Sequence, residues 1–136
     1  MGKRDDMTKM DGNNVEAQRA RFEARLARER EFNKVTLPAI RNAGEEALRE
    51  LLPVALNDTG QSEVVAKFLL GIYNGKRFPF DLTEFRRLDR ELFEKCQNVM
   101  AMDFQPEREA HEYFEDGGSI FESMAENWYP PKIDES

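Results

Sequence analysis

The chain has 136 residues, of which 40% are hydrophobic and 35% charged, with 20 basic residues against 27 acidic ones and a net charge of -7. That length specifies one domain burying roughly two thirds of its unfolded surface, and the acidic balance argues against general affinity for nucleic acid or anionic membrane. One cysteine, Cys96, and one histidine, His111, exclude an internal disulfide and any multi-cysteine or multi-histidine metal site within one chain.

Residues 1–14 mix charges with Gly2, Gly12, Asn13 and Asn14 and carry no period, so a disordered tail is expected there. The tail has no apolar leader core, and nowhere do about 18 consecutive apolar residues occur, as a membrane span needs. The expected location is therefore cytoplasmic.

From Val15 to Lys34 the chain turns to Ala, Arg and Glu with no Gly or Pro, which predicts a charged helical arm over residues 15–35. Its apolar face is thin, with Val15, Phe22 and Leu26 on one side. Arg21, Arg25 and Arg28 lie on a neighbouring strip, since steps of four and three residues each make about one turn. Such a strip either docks on phosphate or an acidic partner, or is a solvated face balanced by Glu23, Glu29 and Glu31.

Thr36 and Pro38 suit a helix start, the threonine as cap and the proline in a first turn where its missing N–H has no partner anyway. Ile40, Ala43, Ala47, Leu48, Leu51 and Leu52 then form a stripe at helical spacing, weakened locally by Gly44. Pro53 is expected to kink or end this helix, with Val54 to Leu56 as a short continuation. Asp58 and Gln61 stand as cap and third helical residue of a capping box, which starts the next helix at about Thr59. Val64, Val65, Phe68, Leu69, Leu70, Ile72 and Tyr73 cover most of its circumference and leave Glu63 and Lys67 as a ridge. This is the expected central helix, with Asn74-Gly75 as a left-handed stop.

In the loop that follows, Phe78-Pro79-Phe80 either folds back as a lid on the core or forms a surface docking point. Burying each ring is worth about 1.5 to 3 kcal/mol, which favours the lid. Asp81 and Glu84 form a second capping box, opening a long amphipathic run with Phe85, Leu88, Leu92, Cys96 and Val99 on one face. Cys96 on that face is an inert small hydrophobe rather than a nucleophile. Pro106 opens a further helix that Gly117-Gly118 ends, and Ser119 with Glu122 forms a third box at the start of the last one, stopped by Tyr129-Pro130-Pro131.

His111 is the one candidate general base, but no nucleophile is specified near it and it sits in a glutamate-rich stretch. No EF-hand, HExxH or phosphate-loop spacing occurs. No enzymatic activity, metal or cofactor is expected. Charge is unevenly spread: Arg19 to Lys34 holds six basic residues and three acidic ones, and Asp103 to Ser136 holds ten acidic and two basic. The arm is therefore expected to pair with acidic helices of the same chain or of a second copy.

Asp58-Thr59-Gly60-Gln61-Ser62, Val65-Ala66, Phe68-Leu69-Leu70, Asn74 and Phe80-Asp81-Leu82-Thr83 together resemble the central signature of an uncharacterised family of small bacterial proteins, often encoded on plasmids and integrative elements. The resemblance runs from roughly Leu48 to Trp128, with the arm outside it. It implies a bacterial cytoplasmic accessory protein of a mobile element and brings no catalytic residue, cofactor or substrate.

The expected fold is all-α, a compact domain over residues 36–129 of about five helices around a buried central one, with a polar tail over 130–136. The expected function is non-catalytic interaction with a protein partner or a second copy, through Arg21, Phe22, Arg25, Arg28, Phe78 and Phe80. Two other readings stand beside it: a nucleic-acid-linked regulator using the arginines of the arm, and an acidic inhibitor that mimics nucleic acid.

Overall fold

The computed structural model describes the backbone of residues 2–131 and the side chains of residues 14–131, and these residues form five α-helices and no strand. The helices are α1 (Gly2–Glu31), α2 (Leu37–Ala55), α3 (Gly60–Tyr73), α4 (Arg90–Phe104) and α5 (Gly117–Trp128). The tail expected at 1–14 lies, but for Asn14, outside the side chains described, and the expected tail at 130–136 lies outside them beyond Pro131. The chain divides into two units, Met1–Ala39 and Ile40–Ser136.

In the first unit the expected new start at Thr36 does not occur. Glu31 and Leu37 both keep right-handed helical backbone, and a single π turn over Phe32–Thr36 joins them, with the Leu37 N–H donating to the Phe32 carbonyl. Pro38 has no N–H and its ring crowds the carbonyl four residues back, so one wider turn ahead of it replaces a cap.

In the second unit α3 is the centre, as its all-round apolar composition predicts. Val64, Val65, Ala66, Phe68, Leu69 and Leu70 are all buried, while Glu63 and Lys67 pair at 3.3 Å along the outer ridge. The helix touches α4, α5 and two short 3₁₀ turns, Leu82–Arg87 and Ala110–Tyr113. From α2 the residues Leu48, Leu51 and Ala55 join the same core, and the helix runs on past Pro53 to Ala55 as expected. Gly44 does more than weaken α2: a Cβ there would overlap Met102 of α4, so the two helices meet at a residue with no side chain.

Three start signals are displaced from where the sequence places them. The cap of α3 is Thr59, whose hydroxyl accepts from the Ser62 N–H at 3.0 Å and pairs with the buried Ser62 hydroxyl at 2.7 Å. Gln61 caps nothing in α3; its carbonyl oxygen accepts from the Asp89 N–H at 2.7 Å, across 28 residues. Asp81 binds the Thr83 N–H and hydroxyl and opens only the 3₁₀ turn, after which Leu88 is extended and Asp89 caps α4 through the Leu92 N–H. Gly117-Gly118 begins α5 rather than ending a helix, behind Asp116 at φ 58. A Cβ on Gly117 would collide with the His111 carbonyl, so only glycine allows this close approach. The stretch expected as a helix from Pro106 is accordingly only the turn Ala110–Tyr113. Asn74 ends α3 in extended backbone, not left-handed, and no glycine among the described residues has positive φ. Its side chain accepts from the Arg77 N–H at 3.1 Å, which turns the chain without Gly75 adopting a left-handed backbone.

Candidate functional site

On α1 the spacing sets Phe22 beside the strip of Arg21, Arg25 and Arg28, and the structure brings the four together. Gln18, Arg21, Phe22, Arg25 and Arg28 line the same shallow side of the helix, and Phe22 is 51% exposed. The Arg25 guanidinium lies over the Phe22 ring at 5.7 Å from its centroid, a contact worth about 0.5 to 1 kcal/mol at an exposed site. None of the ion pairs among the described residues uses Arg21, Arg25 or Arg28. A large exposed ring among arginines not engaged in ion pairs is chemistry suited to a partner with an apolar contact and negative charge.

Phe78 and Phe80 sit in the second unit, and their roles separate. Phe78 is 5% exposed, stacks on Tyr129 at 5.2 Å and is covered by the Arg77 guanidinium at 4.7 Å, so it is the lid. Phe80 is half-buried against Phe68 and Phe85, with ring centroids 5.8 and 5.0 Å away. Together with Phe68, Phe85 and Met100 these rings wall a half-open groove of about 200 Å³, and Leu82 at its edge is 71% exposed. A cavity of about 150 Å³ accepts benzene, so this groove has room for one bulky apolar side chain. Contact there falls to Phe80 and Leu82, because Phe78 is covered.

A polar cluster joins the end of α3 to α5 and was not singled out from sequence. Tyr73 donates to Glu122 at 2.6 Å, and Arg77 holds both oxygens of the same carboxylate at 2.7 and 3.0 Å. The Arg77 guanidinium and then the Tyr73 hydroxyl hold the Glu122 carboxyl down at about 2, and the same carboxylate raises Tyr73. His111 sets its ring edge-on to Tyr73 at 5.1 Å, and its Nδ1 is buried without a hydrogen-bond partner in the described structure. Glu122 lies 49 positions from Tyr73 and 45 from Arg77 in sequence, beyond any local pattern. All three groups are engaged with one another, which is the arrangement of a tie between elements. Cys96 is fully buried and its thiol is pushed up to about 12 by desolvation, which keeps it protonated and unreactive, as expected for an inert small hydrophobe.

Among the described residues, no helix is long and apolar enough to cross a membrane, and no group of three His, Cys, Asp or Glu is placed to hold a metal ion. The second unit is thus an all-α body built round one buried helix, tied by polar contacts at its surface. The chain belongs to a family of unknown function, described as "Family of unknown function (DUF7673)", which matches residues 45–129. That span takes in the whole stretch from Asp58 to Thr83 and leaves α1 outside. No curated protein and no solved structure matches the chain.

Proposed function

We propose that the protein is a non-catalytic accessory module of a bacterial, mobile-element-borne system, which works by docking a protein on the α1 strip. The observation that carries this is Phe22, a half-exposed ring flanked by Arg21, Arg25 and Arg28 on one side of a helix. Aromatic and arginine side chains are the types most enriched at binding hot spots, and an acidic partner matches the three charges. The resemblance to small plasmid-borne bacterial proteins supports a cytoplasmic setting. The tagged full chain should retain a protein partner or its own untagged copy from native lysate. Phe22→Glu should abolish that retention, whereas Phe104→Glu, at a still more open position elsewhere, should not. Retention unaffected by Phe22→Glu would overturn the reading.

The same three arginines, which make no ion pair among the described residues, favour one other reading, a regulator that contacts nucleic-acid phosphate through α1. Three phosphate contacts would give a salt slope of roughly -2 to -3 in log affinity against log salt. The net charge of -7 opposes it.

A further inference from the structure

We propose that the occupant of the α1 strip is a second copy of the chain, seated along the groove between α2 and α4 of that copy. This rests on the reading of α1 as a protein-docking element. The groove, about 260 Å³ in volume, has Ala43 and Ala47 on its α2 side and is walled by Glu46 and Glu50 from α2 and Glu91 and Glu94 from α4. Lys95 at its side is already neutralised, with its Nζ 2.8 Å from Glu91 and 3.4 Å from Glu50. Four carboxylates against one ammonium leave the groove strongly negative, and it faces outward without a cation of its own to spare.

The spacing along the basic helix matches that along each acidic wall taken singly. Arg21 and Arg25 stand four residues apart, as do Glu46 and Glu50, a rise of about 6 Å along a helix. Arg25 and Arg28 stand three apart, as do Glu91 and Glu94, a rise of about 4.5 Å. A basic helix laid along the groove therefore runs between two acidic walls, with the Phe22 ring over Ala43, where a small, part-exposed side chain leaves room for it. Charge partition over the whole chain points the same way. Residues 40–136 carry 11 basic and 20 acidic side chains, against 9 and 7 in residues 1–39, so the units bear opposite net charge, -9 and +2. A two-fold pair makes the contact twice, which brings a short strip toward the area a stable dimer needs, on the order of 1,200 Å².

Sedimentation of the full chain tests this. At low salt, on the order of 50 mM, a dimer is expected, and at roughly tenfold more salt its dissociation constant should rise more than about tenfold. The charge-reversed variant R21E/R25E/R28E should be monomeric under the same conditions, and so should E46R/E94R; neither alters a residue with a hydrogen bond or ion pair in the described structure, and circular dichroism checks that each keeps its helices. Mixed in equal amounts, the two variants should pair with each other, because every repulsive contact in either self-pair becomes attractive in the mixed one. A wild-type chain that stays monomeric at low salt, a dimer that survives the arginine reversal, or a mixture that fails to pair would each overturn the proposal. So would an assembly that forms only when its absorbance shows bound nucleic acid. A monomer that still retains a different protein through Phe22 would leave the docking reading standing and sink this one alone.

Discussion

Glu122 shows how one carboxylate fastens two elements. It accepts from Tyr73 and from both nitrogens of Arg77, and those bonds hold its pKa at about 2, against about 4.3 in an unfolded chain. A carboxylate depressed on folding stabilises the folded form while it is ionised. The contribution is therefore complete above about pH 4.3 and is lost as the pH falls toward 2. Glu122→Gln should lower the melting temperature at neutral pH, and the gap to the natural chain should close through that window. Thermal melts at stepped pH check this; a gap that does not change with pH contradicts it. From sequence, Ser119-x-x-Glu122 has the pattern of a capping box, and only the three-dimensional position of Arg77 redirects the glutamate. Cys96, by contrast, was legible, because its place on an apolar stripe already fixes its burial and with it the inert thiol.

At the scale of elements, helix interiors were readable, as were the limits of α3 near Thr59 and Asn74 and the stop of α5 at Tyr129, whereas the starts of α4 and α5 were not. The circumference of α3 and the apolar stripe of α2 follow from residue type alone. Ends depend on which of several adjacent capping residues has the right backbone angles, and here Asp58, Thr59 and Gln61 all offered a suitable side chain. Thr59 holds the bond to Ser62, so Thr59→Ala should cost about 1 to 2 kcal/mol in denaturant unfolding. Asp58→Ala should stay within about 0.5 kcal/mol, as an exposed residue outside any cap bond. Equal costs would return the cap to Asp58. The same ambiguity split the amphipathic run after Asp81. Two acidic caps lie eight residues apart, and the first serves a 3₁₀ turn held to α3 by Arg87, which reaches Glu84 at 2.7 Å and Glu63 at 3.3 Å. Gly117 misled for a related reason: a glycine marks close approach as readily as a helix end, and its neighbour His111 is not adjacent in sequence.

For the whole molecule, composition predicted an all-α fold around α3, and the described residues have it. Of the candidate site, helical spacing sets Arg21, Arg25 and Arg28 on a strip beside the side that carries Phe22, and the four residues line one shallow side of α1. The sequence left Phe78 and Phe80 undecided between core and surface, because packing alone separates them. The groove of Glu46, Glu50, Glu91 and Glu94 was invisible, being made by two helices whose closeness depends on Gly44 facing Met102. What unites these observations is a basic, aromatic strip on a chain whose other unit is acidic, and the central claim is that a protein docks there. A photo-reactive benzoylphenylalanine in place of Phe22, activated in native lysate, tests that claim most directly. The account predicts a covalent adduct that protease destroys and nuclease does not; an adduct removed by nuclease, or none above that from the same group at exposed Glu115, would contradict it.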